Sequence, residues 1–328
     1  MLPLDGSIAE HGPAIVAAYA QIVPRQDWPR VTFVDFTAGS CLLPLLFAAT
    51  GMGCLVLNDI AERSCLAATA LFGRRQLDPS RVRELVTSDA PRLRPHVPSF
   101  HFASDYLTEQ VADTFDRLYY ARVPAAVRPV YQYLALRWVL GFVPSPESEF
   151  EVLPTHDYLQ LARDGGHDWR HYIRRARRKL PVLMSLAADL NAAIRRVPAP
   201  RIEVHQADLL ALCRDVDYGR RAFVIVNPPT RGLDEYVIDD QLAHSLMANR
   251  WLPLSRCREN PDQFWRRRVD AALRSLPAGS HALVWGGDGT LSWTHCLSVW
   301  RRHADPVVIR RIGRSPQAPG WAILEKLP

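Results

Sequence analysis

Five short apolar runs, each broken at its carboxyl end by polar residues or glycine, constrain this chain more than anything else in it. VTFVDF (31–36) stops at Thr37-Ala38-Gly39-Ser40, and CLVL stops at Asn58-Asp59. RIEVHQ (201–206), AFVIV (222–226) and HALVW (281–285) end in the same way. β-Branched and aromatic enrichment predicts strands for all five, and the helical-looking CLLPLLFAAT after the first predicts a strand–turn–helix–strand unit. The order strand, glycine-containing turn, helix, strand, acid is the first half of a nucleotide-binding α/β unit. Near the end, VVIRRI (307–312) and WAILEK (321–326) flank a turn-rich RSPQAPG, the pattern of an antiparallel hairpin closing the sheet. Before the first strand, AIVAAYAQIV between Pro13 and Pro24 reads as a helix lying across a core.

Residues 75–200 interrupt this alternation with long helical and irregular segments that carry aromatics, then basic residues. They read as an inserted subdomain (75–199) between two parts of one α/β domain (1–74 and 200–328). Within the insertion, residues 161–200 hold nine Lys+Arg against three Asp, concentrated in WRHYIRRARRKL. On one helix, Tyr172, Ile173, Ala176 and Leu180 share a side and Arg174, Arg175 and Arg178 face away, with Lys179 beside them. Such a face suits phosphates, and it equally suits plain solvation. Pro181 is placed to begin a second helix with Leu183, Leu186, Leu190 and Ile194 as its buried stripe. The chain as a whole has 40 Lys+Arg, mostly Arg, against 34 Asp+Glu, a net charge of +6 that is compatible with a polyanionic partner without requiring one. Arg266-Arg267-Arg268 and Arg310-Arg311 extend the basic surface only if the fold brings them to one face.

The six cysteines are scattered, with no spacing that suggests a zinc site or a disulfide framework, so no metal is expected. No apolar stretch reaches the length of a membrane span and the first residues do not look like a leader, which predicts a soluble, cytoplasmic protein.

Four sites carry candidate chemistry. In FVDFTAGS, Asp35 and Thr37 flank a turn in which Gly39 lets the backbone approach a ligand closely at a helix start. Asp59, at the end of the second strand, is placed to accept hydrogen bonds from two ribose hydroxyls, or alternatively to cap the helix that follows. Asp208, just beyond the third strand, is placed to accept from an adenine amine or, again, to cap a helix. Asn227-Pro228-Pro229-Thr230 ends the fourth strand with a rigid turn whose carbonyls are acceptors. The Asn227 side-chain oxygen and the Pro228 carbonyl can each take one N–H of an exocyclic amine, which turns its nitrogen lone pair toward an electrophile. Mere strand punctuation by the two prolines is the competing account.

Taken together, FVDFTAGS, Asn58-Asp59-Ile60, QADLL and FVIVNPPT resemble, in order, the motifs of the Dam-like DNA adenine methyltransferases, the last resembling their D-P-P-Y segment. The resemblance implies a Rossmann-like class I methyltransferase sheet with a terminal antiparallel hairpin and a target-recognition insertion. It also implies S-adenosylmethionine as cofactor and methyl transfer to the exocyclic amine of adenine in DNA, on a base rotated out of the helix. Asp35, Thr37 and Gly39 are then expected at the cofactor, Asp59 at its ribose, Asp208 at its adenine, and Asn227 with Pro228 at the target amine. Arg174, Arg175, Arg178 and Lys179 are expected at nucleic acid. Two features depart from the family: Thr230 stands where an aromatic stacks on the flipped base, and the glycine-and-lysine signature before the first helix is reduced to Gly12. RNA methylation by the same chemistry and a catalytically silent nucleic-acid-binding protein are the alternatives. Tyr236, Phe264 and Trp265 are candidates for a substitute stack.

Overall fold

The computed structural model describes residues 11–88, 109–141, 175–197, 201–227, 243–244, 246–248, 261–286, 293–312 and 320–327. Two compact units divide the chain. One takes in Met1–Leu2, Thr69–Arg195 and Glu235–Ser255; the other takes in Pro3–Ala68, Arg196–Asp234 and Arg256–Pro328.

The second unit holds a seven-stranded mixed sheet in the order β3-β2-β1-β4-β5-β7-β6. Its strands are β1 (Thr32–Asp35), β2 (Cys54–Asp59), β3 (Arg201–Gln206), β4 (Ala222–Val226), β5 (His281–Gly286), β6 (Ala304–Arg311) and β7 (Gly320–Lys326). β1 to β5 pair in parallel, and β7 runs antiparallel to both of its neighbours, β5 and β6. All five runs singled out in the sequence are strands, and the two terminal runs do form a hairpin. Its last strand, however, is slotted between β5 and β6 rather than added outside. Residue chemistry explains this order. GWAIL at the start of β7 is buried at every position, as an interior strand requires, whereas β6 alternates and exposes its outer half. Pro306, which has no N–H to give a ladder, sits on this edge strand next to a register shift between Pro306 and Val308.

Alternate residues of the strands feed two apolar layers. On one face Tyr19 of α1 (Gly12–Ile22) stacks on Phe223 at 4.0 Å, and Phe47 of α2 (Leu42–Ala49) packs against Phe33 at 5.0 Å. On the other face Val34, Val56, Val224, Val284 and Leu324 share a core with three helices: α8 (Leu209–Asp215), α9 (Pro261–Ser275) and α10 (Trp293–Trp300). With apolar side chains committed to both faces, the polar residues at the strand ends are left along one carboxyl edge, where α/β sheets bind ligands.

The other unit is helical where described. Beyond α3 (Glu62–Phe72), which crosses the division, it contains α4 (Pro79–Thr87), α5 (Glu109–Tyr119), α6 (Arg128–Leu140) and α7 (Lys179–Arg196). Asp78 caps α4 through Ser80 N–H at 2.9 Å, with Pro79 in the first turn where its missing N–H is harmless. Asn191 of α7 grips Leu77 from both sides, accepting its N–H at 2.8 Å and donating to its carbonyl at 2.9 Å. Pro181 does not start α7; it is the third residue of a helix that begins at Lys179, still within the first turn. Of the stripe expected there, Leu183, Leu190 and Ile194 are buried, joined by Ala187 and Asn191, while Leu186 is half-buried.

Candidate functional site at the carboxyl edge of the sheet

β2, β1 and β4 are adjacent strands, and parallel register sets Asp35 beside Leu57 and Ile225. Asp35 is therefore flanked on both sides by apolar strand residues and is 2% exposed. Burial pushes its carboxyl up to about 7; the Thr37 N–H, donating to Oδ1 at 3.0 Å, works in the opposite direction, and nearby Asp59 raises it further. Thr37 then reaches the next loop, because its Oγ1 accepts the backbone N–H of Asn227 at 3.2 Å. The loop after β1 is thus joined by a side chain to Asn227, the residue that follows β4.

The turn itself needs left-handed backbone twice, at Gly39 (φ +47°) and at Cys41 (φ +60°) just ahead of α2. Glycine accepts this without strain; a non-glycine residue there is costly and is held here by a buried setting. Gly39 donates its N–H to Asp59 Oδ2 at 2.8 Å, and Ala61 donates to Asp59 Oδ1 at 2.9 Å. Asp59 consequently orders the entry to α3 and anchors the glycine turn at once.

Between these acids lies a residue to which the sequence analysis gave no role. Asn58, 2% exposed, donates through Nδ2 to the carbonyls of Phe36 at 3.0 Å and Ala207 at 3.1 Å, and its Oδ1 accepts Ala207 N–H at 3.1 Å. Its single amide ties together the ends of β1, β2 and β3. The following residue, Ile60, is 70% exposed, the highest value among the large exposed hydrophobics. An isoleucine in a polar strand-to-helix turn was the visible signal for this feature.

Asp208 is an N-cap: Oδ1 accepts Leu210 N–H at 2.7 Å, while Oδ2 takes Arg268 Nη2 at 2.7 Å. The carboxylate remains 38% exposed, whereas the Arg268 side chain is 11% exposed. Nothing in the sequence linked these two residues, which lie on α8 and α9. The Arg266-Arg267-Arg268 run is accordingly no single patch. Arg266 meets the His295 ring through Nε at 3.0 Å, Arg267 is exposed, and Arg268 is buried on Asp208.

Asn227 is half-buried at the end of β4; Pro228, Pro229 and Thr230 lie outside the described residues. On the neighbouring strand β5, Trp285 is buried and stacks under His11, with ring centres 5.9 Å apart and planes at 23°.

The chain matches no protein-family model and no curated protein.

In the helical unit, the basic segment is arranged differently from expectation. Arg175, expected to face outward, is turned inward. Its Nη2 donates to the carbonyls of Arg137 and Trp138 at 3.4 Å each, and its guanidinium lies 5.6 Å from the centre of the Trp138 ring. Those carbonyls are at the carboxyl end of α6, where a cation is favoured. The contact is close enough that any side chain at Gly141 would run into the guanidinium. Burial, then Arg137, lowers the Arg175 pKa to about 10. Lys179 is half-buried too and its pKa is lowered by burial, against the favourable field of Asp113. A turn at Arg178 breaks the helical repeat that would have put Arg175 and Arg178 on one face, and leaves Arg177 and Arg178 exposed. Arg174 lies outside the described residues. No described helix is long and apolar enough to cross a membrane.

Proposed function

We propose that this chain is a cytoplasmic S-adenosylmethionine-dependent methyltransferase of the class I, Rossmann-like kind, acting on the exocyclic amine of adenine in nucleic acid, DNA ahead of RNA. One observation carries the reading: a sheet whose last strand alone runs antiparallel sets Asp35, Asp59 and Asn227 at the carboxyl ends of three adjacent parallel strands. A dehydrogenase reading accounts for Asp59 but for neither the inserted antiparallel strand nor the proline-rich end of β4.

The residues present fit the cofactor. Gly39 provides a turn without a side chain, Asp59 stands at the carboxyl end of β2 where ribose hydroxyls are met in nucleotide-binding α/β folds, and the exposed Ile60 offers an apolar surface to a purine ring. Asp208, held by Leu210 and Arg268, faces the purine amine with its exposed carboxylate edge. The cofactor's contribution is an electrophilic methyl on a sulfonium. The chain's own contribution is positioning: the Asn227 side-chain oxygen and the Pro228 carbonyl accept hydrogen bonds from the two amine N–H groups, and the nitrogen lone pair is left pointing away from these acceptors. The Thr37–Asn227 hydrogen bond ties Asn227 to the loop that follows β1. Arg177 and Arg178, both exposed, supply phosphate contacts together with Arg174, while Arg175 is turned inward onto the end of α6.

Thr230 in place of a stacking aromatic favours a second reading, a nucleic-acid-binding protein that no longer methylates. Transfer of labelled methyl from S-adenosylmethionine to mixed DNA and to mixed RNA separates them. The enzyme reading expects label in DNA, lost by at least a hundredfold in Asn227→Ala; label in neither polymer overturns it, and an Asn227→Ala rate equal to the unsubstituted one removes Asn227 from the chemistry.

A further inference from the structure

A base presented to Asn227 by its amine leaves two π faces that water would otherwise cover, and proteins that hold extruded bases sandwich them against aromatic or apolar side chains. Thr230 cannot stack. Among the described residues, Trp265 and Trp300 are 0% exposed and Trp293 is 6% exposed, all committed to the core beneath α9 and α10. Trp265, one candidate from the sequence, is therefore excluded; Tyr236 lies outside the described residues.

The pair His11–Trp285 stands elsewhere. β4 and β5 are parallel neighbours in the register Val226↔Val284, so Trp285 lies alongside Asn227, about 4.8 Å across the sheet. Alternation puts Trp285 on the same face as His281 and Phe223, the face covered by α1. There the imidazole of His11, the residue before α1, forms an offset stack with the indole, its plane tilted by 23°. Trp285 is buried, while His11 is only half-buried. A flat, backed ring at the border of the proposed amine cradle is what a stacking partner requires. All three residues belong to one compact unit, so their arrangement does not depend on the other.

We propose that the stacked His11–Trp285 pair is the platform on which the target nucleobase rests while Asn227 holds its amine, supplying the aromatic surface that a threonine at position 230 cannot. The inference rests on the methyltransferase reading for the identity of the base and adds the surface that receives it. His11 is a binding residue here; Trp285 positions it.

The test uses the full chain and a short single-stranded oligodeoxyadenylate carrying one 2-aminopurine, whose fluorescence is quenched on stacking, titrated with and without S-adenosylhomocysteine. His11→Ala is expected to weaken quenching and binding about tenfold, equivalent to ~1.4 kcal/mol. His11→Phe, which keeps a flat ring over Trp285, is expected to restore both to within about twofold. S-Adenosylhomocysteine binding should change less than about twofold in either variant, which shows that the fold and the cofactor site are intact. The platform is overturned if the unsubstituted protein produces no quenching, or if His11→Ala quenches and binds as the unsubstituted protein does. Should no form bind S-adenosylhomocysteine while quenching still depends on a ring at position 11, the platform stands and the methyltransferase reading falls.

Discussion

Asp35 is buried at the carboxyl edge between apolar strand neighbours, where the Thr37 backbone amide donates to it. Its folded pKa, pushed up to about 7, lies above the value of a free carboxyl, so the folded state holds a proton that the unfolded state releases between roughly pH 4 and pH 7. The sign follows: this contribution to stability is fully present below about pH 4 and is lost as pH rises through 7. Thermal melting of the unsubstituted protein should fall over that interval, and Asp35→Asn, which keeps the shape without the charge, should flatten the fall and gain about 2–4 kcal/mol near pH 8. Parallel pH profiles for the two proteins would remove Asp35 as the source. Asp59 shows why single acids were only half legible from sequence. Ligand and cap are alternatives in the sequence, yet one carboxylate has two oxygens, and here each takes a different backbone amide, Gly39 on one and Ala61 on the other.

At the scale of elements, the close fit between β5, β7 and α10 is set by two glycines opposite each other, Gly286 and Gly320. A Cβ on Gly286 would lie 2.6 Å from Cys296 Sγ and 3.1 Å from Trp300, and one on Gly320 would lie 2.9 Å from Trp293. Gly286→Val should destabilise the protein by about 1–3 kcal/mol through overpacking, read by denaturant melting; a neutral substitution would mean that α10 is not seated on the strand as described. β2, β4 and β5 were readable because each contains a continuous apolar run stopped by polar residues or glycine, whereas β3 alternates polar and apolar side chains. The place of β7 was not read, although its unbroken burial against the alternation of β6 carried the information. In the basic segment, a continuous helical repeat misplaced Arg175, because the turn at Arg178 resets which side chains share a face. Arg268 on Asp208 was illegible for a simpler reason: residues 60 positions apart on different helices leave no periodic trace.

For the whole molecule, the net charge of +6 is not spread as one surface. Arg268 neutralises an acid, Arg175 closes a helix end, and Arg177 and Arg178 remain in water. Arg178→Ala should therefore weaken DNA binding and reduce its salt dependence by about one phosphate contact without altering the melting temperature, while Arg175→Ala should lower the melting temperature. The reverse pattern would contradict this division of roles. The account as a whole depends on the carboxyl edge of the sheet being a nucleoside site organised by Asp59. Calorimetric titration with S-adenosylhomocysteine tests that most directly: the unsubstituted protein should bind one equivalent, and Asp59→Ala should bind at least about tenfold more weakly, the equivalent of ~1.4 kcal/mol. No binding by the unsubstituted protein, or equal affinity in the two, would contradict the central claim.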